Sequence, residues 1–244
     1  MRTTLMVLAG TAVVAIGLAN AANPPWGGDD TGWLPPVGSA VNKCETNIGK
    51  QASKLVDKIG KCHAGRIAGK LADPTAEDAC TAALTTKFTT KVKTVGCDAC
   101  TNLTLIAGVW DNVTDSAIGA ILCGAGTPMG GDDAGNIPAA PAAAKCAIGV
   151  VKAVGKLNGA LAKCHISRAT GKIASEAGED VCEAAALSKF TTKTKTTGCD
   201  PCVNLGTLAL MSEFQIDQGN SLTYCQSPSS AFVEKNRGYM ESLF

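Results

Sequence analysis

Aromatic side chains, charged side chains and long apolar segments are all scarce in this 244-residue sequence. Phe, Trp and Tyr together make up 4% of the residues and charged residues 18%, whereas 45% are apolar. So few large side chains predict a thin hydrophobic core, while the low charge and high apolar content exclude a fully disordered chain. After residue 21, no apolar run approaches the ~20 residues that cross a bilayer. The sequence therefore predicts a folded protein without a membrane span.

The first 21 residues have the features of a secretion signal. Arg2 gives a basic start, an uncharged apolar stretch follows, and small residues stand at Ala19 and Ala21, the two positions that a signal peptidase reads. We therefore expect cleavage after Ala21 and a secreted or periplasmic protein. Loss of Arg2 would reduce the 22 basic residues to 21, which equals the number of acidic residues. This balance argues against a nucleic-acid-binding protein.

The twelve cysteines form two sets of six, and each member of the second set lies 102 residues after its counterpart. Shorter motifs recur at the same offset, such as Lys-Cys-His at residues 61–63 and 163–165. We therefore predict a signal peptide at 1–21, a first repeat at 22–125, a second repeat at 126–227 and a tail at 228–244. The cysteines are Cys44, Cys62, Cys80, Cys97, Cys100, Cys123, Cys146, Cys164, Cys182, Cys199, Cys202 and Cys225.

Apolar residues spaced by three and four predict a helix over residues 41–71. Asp73 and Pro74 favour the start of a second helix, because proline at the first helical position loses no hydrogen bond. Gly96 is a suitable residue for its left-handed cap. The predicted fold is all-α: two tandem disulfide-stapled helical-hairpin units, each followed by a shorter helical segment and joined by a flexible linker.

All twelve cysteines are predicted to form structural disulfides, because an exported protein meets an oxidising environment and the count is even. Three bonds are expected within each repeat. Counting outward from the turn of each hairpin pairs Cys62 with Cys80, and Cys164 with Cys182 in the second repeat.

The other pairings depend on the CxxC motif that ends each hairpin. Cys44 would face either Cys97 or Cys100, and the remaining thiol would then need Cys123. A straight helix would place Cys123 ~35 Å from Cys100, so this pairing requires a reversal near residues 111–115 and, in the second repeat, near 217–220. A short second hairpin is therefore expected.

Thiol chemistry is the alternative interpretation of these cysteines. A redox CxxC needs a strand before it and a helix after it, whereas these motifs follow the end of a helix. Zinc or copper could bind thiolates, but a four-cysteine zinc site usually has two close pairs, and the other spacings here are 17, 18 and 23. Neither CxxC is followed by histidine, which excludes haem attachment. We therefore predict no metal site and no cofactor.

Two polar sets recur at helical spacing and could each hold an anion. The alternative is a solvated helix face beside the cysteine stripe. No Ser or Cys nucleophile with a defined partner stands near His63 in the sequence, and no enzymatic activity is predicted. The candidate anion-binding residues are His63, Arg66 and Lys70 in the first repeat and His165, Arg168 and Lys172 in the second.

Paired aspartates follow Gly-Gly at the start of each repeat, at residues 29–30 and 132–133. Their oxygens could bind calcium, but a calcium loop needs alternating acidic positions and a further glutamate. A turn is therefore the preferred interpretation of both pairs.

Several motifs together resemble a family of exported, cysteine-rich helical repeat proteins from environmental bacteria, whose activity is uncharacterised. They are Gly-Gly-Asp-Asp-x-Gly-x-x-Pro at the start of each repeat, Lys-Cys-His, and Gly-Cys-Asp-x-Cys at the end of each hairpin. The resemblance implies the architecture and a bacterial host, but no functional residue.

The functional hypothesis is a non-enzymatic exported binding or structural module. Its partner would be an unidentified extracellular or periplasmic molecule, with an anionic polymer as the specific candidate. The alternative is thiol-based metal binding or disulfide exchange through the CxxC pairs.

Overall fold

The computed structural model describes residues 30–123 and 135–225, which form six helices and no strand. This confirms the all-α prediction. The signal peptide, the linker residues 126–134 and the tail at 228–244 lie outside the described residues. The helices are α1 (Ala40–Ile67), α2 (Pro74–Lys91), α3 (Leu103–Ile121), α4 (Pro141–Ala169), α5 (Glu176–Lys193) and α6 (Leu205–Thr223). We call residues 30–123 the first half and 135–225 the second half.

Side-chain caps define where the helices of the first half begin. The Ser39 hydroxyl accepts a hydrogen bond from the backbone N–H of Asn42 at the start of α1. Asp73 caps α2 in the same way, directly before Pro74, as the sequence predicts. The second helix ends at Lys91, five residues before Gly96, which adopts a left-handed conformation (φ 86°) in the turn that follows. The chain needs this turn to bring Cys97 back to α1.

The two long helices α1 and α4 pack against each other in opposite directions at the centre of the molecule. The side-chain amide of Asn42 near the start of α1 donates a 2.7 Å hydrogen bond to the carbonyl of Ala169 at the end of α4. Glycines allow a close approach along the interface: a Cβ at Gly155 would lie 3.7 Å from the Cα of Asp57. Small residues thus supply the close packing that the scarce aromatic residues cannot.

Four disulfides staple the two helical hairpins as the sequence predicts. Cys62 bonds Cys80 and Cys164 bonds Cys182, near the turn of each hairpin. Of the two options for Cys44, the structure selects Cys97, and the equivalent bond joins Cys146 to Cys199.

The remaining two disulfides cross between the halves, so the prediction of three bonds within each repeat is wrong. Cys100 bonds Cys225, and Cys123 bonds Cys202. The predicted reversals at 111–115 and 217–220 do not occur, because α3 and α6 are each one continuous 19-residue helix. Helices α3 and α6 instead lie antiparallel, so the start of each meets the end of the other. The two halves are therefore one covalently joined unit rather than separate tandem units.

All twelve cysteines lie in the described part of the chain, and every one is disulfide-bonded. Six disulfides indicate an oxidising environment outside the cytoplasm. Among the described helices, none combines the length and apolar character needed to span a bilayer.

Candidate metal centre

Four carboxylates converge on one ring nitrogen of a buried histidine in the second half. The histidine, His165, lies near the end of α4, and the carboxylates come from three other segments of the chain. We call these five residues the His165 site. From Nε2 of His165, the distances are 2.9 Å to Glu183 Oε1, 3.0 Å to Asp30 Oδ1, 3.4 Å to Asp217 Oδ1 and 3.9 Å to Glu179 Oε1.

The α4–α5 hairpin determines the position of three of these residues. Glu179 and Glu183 lie one turn apart on α5, so both side chains are on the same face of that helix. The disulfide between Cys164 and Cys182 joins the residues directly before His165 and Glu183. This bond holds the two helices in the register that brings the histidine and the glutamates together.

Asp30 reaches the site from the segment that precedes α1. Thr31 anchors this segment on α6: its hydroxyl lies 2.9 Å from the carbonyl oxygens of Asp217 and Gln218 and shares its one hydrogen between them. The backbone N–H of Trp33 donates a 2.8 Å bond to the carbonyl of Tyr224. A segment of the first half therefore completes a site whose other residues all belong to the second half.

Burial and charge act against each other at His165, which is 3% exposed. Burial alone would lower the pKa of the imidazole, because it disfavours the charged ring. Hydrogen bonds to Asp217, Asp30 and Glu183 outweigh burial and raise the pKa of His165 well above 6.5.

Two carboxyl groups of the site have pKa values well above their usual range. Burial raises the pKa of Glu179 to about 8, although the charge of His165 opposes this shift. Burial likewise raises the pKa of Asp217 to about 7, against the effect of its hydrogen bond with His165. Ionising these neighbouring buried acids therefore costs free energy, since each disfavours the ionisation of the others.

The spacing of the polar atoms fits a single metal ion. One ligand atom from each of Asp30, His165, Glu179 and Glu183 can be chosen so that all lie within 4.8 Å of one another. Ligands on opposite sides of an ion are two bond lengths apart, about 4 to 5 Å for bonds of about 2.0 to 2.6 Å. These residues could therefore surround one ion with little rearrangement.

Glu179 gives a second, independent indication of a ligand. Its side chain is 1% exposed, and neither carboxylate oxygen accepts a hydrogen bond from the described residues. Its cationic neighbours are distant, with His165 Nε2 at 3.9 Å and Arg168 Nε at 4.0 Å. A buried carboxylate without a hydrogen bond is costly, and a metal ion would provide the missing partner.

The corresponding residues of the first half form a related arrangement, which we call the His63 site. Nδ1 of His63 lies 3.0 Å from Glu77 Oε1, and Nε2 lies 3.3 Å from Asp115 Oδ1. Thr81 occupies the position that corresponds to Glu183, and its hydroxyl donates to the carbonyl of Asp78 in its own helix. The His63 site thus matches the His165 site at Glu77 and Asp115, the counterparts of Glu179 and Asp217, and differs from it at Thr81.

The candidate anion-binding residues do not form the exposed patches that their spacing predicts. Both histidines are buried, because two further helices pack beside the cysteine stripe. Their neighbours are carboxylates, which would repel an anion. Both arginines are partly buried and both lysines are exposed. These positions are His63, Arg66 and Lys70 in the first half and His165, Arg168 and Lys172 in the second.

The sequence did not predict the His165 site, because its ligands come from four separate segments of the chain. In the sequence, Asp30 was a candidate ligand only in a calcium loop, and the zinc or copper alternative depended on thiolates. One usable signal was present: His165 and Glu183 each directly follow a cysteine of the predicted Cys164–Cys182 bond, which places their side chains near each other.

Comparisons with known proteins assign no family to this arrangement. No family model matches the sequence, and neither the curated proteins nor the solved structures contain a significant match.

Proposed function

We propose that this protein is an exported binding protein for a divalent transition-metal ion, which it holds at the His165 site. The proposal gives a ligand to the non-enzymatic module that the sequence predicts. The observation that carries it is the convergence of four buried carboxylates on a single imidazole nitrogen.

A structural ion pair explains this geometry less well than a metal ion does. An imidazolium Nε2 carries one hydrogen and cannot satisfy four carboxylates at once. Ionisation of all four carboxylates around one imidazolium would leave a net negative charge in a buried place, where like charges repel strongly, and a divalent cation would offset that charge. At the corresponding position of the His63 site, Thr81 replaces Glu183, so one carboxylate of the His165 site has no counterpart there.

The ligand types favour a transition metal over calcium, magnesium or copper(I). Imidazole nitrogen suits zinc, iron and nickel, and carboxylates suit harder ions such as manganese. Calcium and magnesium prefer ligand sets made only of oxygen, and copper(I) prefers sulfur. The cysteines all form disulfides, so they provide no thiolate that could compete for the ion.

Calorimetric titration of the chelator-treated, disulfide-bonded protein with Zn²⁺ or Mn²⁺ tests the proposal. We expect one ion per chain, and we expect His165→Ala and Glu183→Gln to weaken binding by at least about 100-fold. The matched control is Glu77→Gln, which removes a charge beside His63 and should leave the affinity at the His165 site within about 3-fold. Absence of binding, or equal losses for E183Q and E77Q, would contradict the proposal.

A further inference from the structure

A groove between α1 and α2, on the first half, has the composition of a second binding site. Its volume is about 340 Å³, within the range of about 300 to 1,000 Å³ typical of small-molecule pockets. The groove lies on the hairpin that the disulfides Cys44–Cys97 and Cys62–Cys80 staple near its two ends. Its walls are therefore held in place before any ligand arrives.

Five lysines line this groove, which we call the lysine groove. No acidic residue is among its lining residues, and none of the five ammonium groups forms an ion pair with any residue of 30–123 or 135–225. The charges are therefore uncompensated within the described structure. The lysines are Lys54 and Lys58 on α1, Lys87 and Lys91 on α2, and Lys93 just after α2.

Apolar side chains line the same groove. Leu55 and Phe88 are buried, and Leu84 and Val92 are partly buried. A site that bound only small inorganic anions would need no apolar lining. The combination of cations and apolar surface matches a ligand that has both an anionic group and an apolar body.

We propose that the lysine groove binds an amphiphilic organic anion, with its acidic group between the lysines and its apolar body on Leu55, Leu84, Phe88 and Val92. The length of the groove favours a small molecule over a long polyanion. Lys54 and Lys58 are one helical turn apart, as are Lys87 and Lys91, so each row of charge extends only about 6 Å.

The second half provides a natural contrast, because the corresponding residues are less suited to this ligand. Ala160 stands where the first half has Lys58, and Ala186 stands where it has Leu84. Thr194 likewise replaces Val92. The second half nevertheless keeps four of the five lysines, and two of them, Lys189 and Lys193, lie in the same Lys-Phe-Thr-Thr-Lys motif. It therefore offers a matched control for the effect of charge.

The experiment uses 8-anilinonaphthalene-1-sulfonate, a fluorescent amphiphilic anion, titrated into the folded, disulfide-bonded protein. We expect saturable binding of one probe per chain and displacement by dodecanoate. The double variant K87E/K91E should weaken binding by about 10-fold or more, whereas K189E/K193E, with the same change of net charge, should stay within about 3-fold. Leu84→Ala, which introduces the residue of the second half, should weaken binding by about 5-fold.

Three results would overturn the inference. Equal losses for the two lysine pairs would show that only net charge matters. Displacement by inorganic phosphate as effective as that by dodecanoate, at equal ionic strength, would show that the apolar surface plays no part. Unchanged binding in K87E/K91E, with helical content intact by circular dichroism, would place the probe elsewhere. Binding that persists after treatment with a chelator would separate this groove from the metal site.

Discussion

The two halves of the molecule have nearly the same helices, yet they differ in a few residues at each candidate site. The helices of the first half contain 28, 18 and 19 residues and those of the second contain 29, 18 and 19. Against this common background, Glu183 replaces Thr81 beside the histidine, and Ala160 replaces Lys58 at the groove. We propose that a few such substitutions on one scaffold favour cation binding in the second half and binding of an organic anion in the first.

The cross-linking disulfides join these two different halves, and the largest expected effect comes from removing one of them. The chain-entropy model predicts a cost of about 3 kcal/mol for a bond that closes 18 residues and about 5 kcal/mol for one that closes 125. With Cys123–Cys202 still present the effective loop is shorter, so we expect C100S/C225S to lower the free energy of unfolding by about 4 kcal/mol.

Urea denaturation of C100S/C225S and of C62S/C80S provides the measurement. We expect C100S/C225S to lower the free energy of unfolding by at least as much as C62S/C80S does. A much smaller cost for C100S/C225S would mean that the halves are stable without their covalent link.

Exchange of one residue between the halves should remove most of the difference in metal affinity. Glu183→Thr introduces the residue that the first half has at this position, and it removes a carboxylate 2.9 Å from His165 Nε2. We expect Zn²⁺ to bind at least about 100-fold more weakly, which equals about 2.7 kcal/mol. Competition with a chromophoric zinc chelator measures this change. An affinity that stays within a factor of three would show that Glu183 is not a ligand.

Glu45 in the first half should make stability depend on pH, whereas Ala147, the buried residue at the corresponding position of the second half, does not ionise. Burial, with a smaller contribution from the charge of Asp98, raises the pKa of Glu45 to about 9. The folded protein therefore binds up to one more proton than the unfolded chain between about pH 4.5 and 9. Its free energy of unfolding is unaffected by Glu45 below this range and falls as the pH rises through it.

Because glutamine does not ionise, Glu45→Gln should remove this fall in the free energy of unfolding, which amounts to up to about 1.4 kcal/mol per pH unit. The variant should match the wild type near pH 4 and be the more stable protein at pH 8. Denaturation curves at several pH values, with a chelator present, provide the measurement. Parallel curves for the two proteins would show that Glu45 ionises normally in the folded state.

The sequence predicted local features better than distant ones. The start of α2 at Pro74 and the Cys62–Cys80 bond depend on caps and spacing within about 20 residues, and both were correct. The Cys100–Cys225 bond and the approach of Asp30 to His165 depend on the packing of α6 against distant segments. Helical periodicity contains no information about which helices pack together, so these contacts were not predictable from it.

The smallest expected effect concerns Asn158, a buried polar residue of α4 whose counterpart in α1 is Val56. Both positions are fully buried, but neither the amide nitrogen nor the oxygen of Asn158 has a hydrogen-bond partner in the described part of the chain. Such a group is stabilised more by water in the unfolded state than by the folded core, so valine should be the better residue. We expect Asn158→Val to raise the free energy of unfolding by about 1 kcal/mol in urea denaturation, and Val56→Asn to lower it by about 2 kcal/mol. Destabilisation by N158V would mean that this amide does bond within the core, and destabilisation by both exchanges would show that the two halves differ in how well they tolerate a polar group at this position.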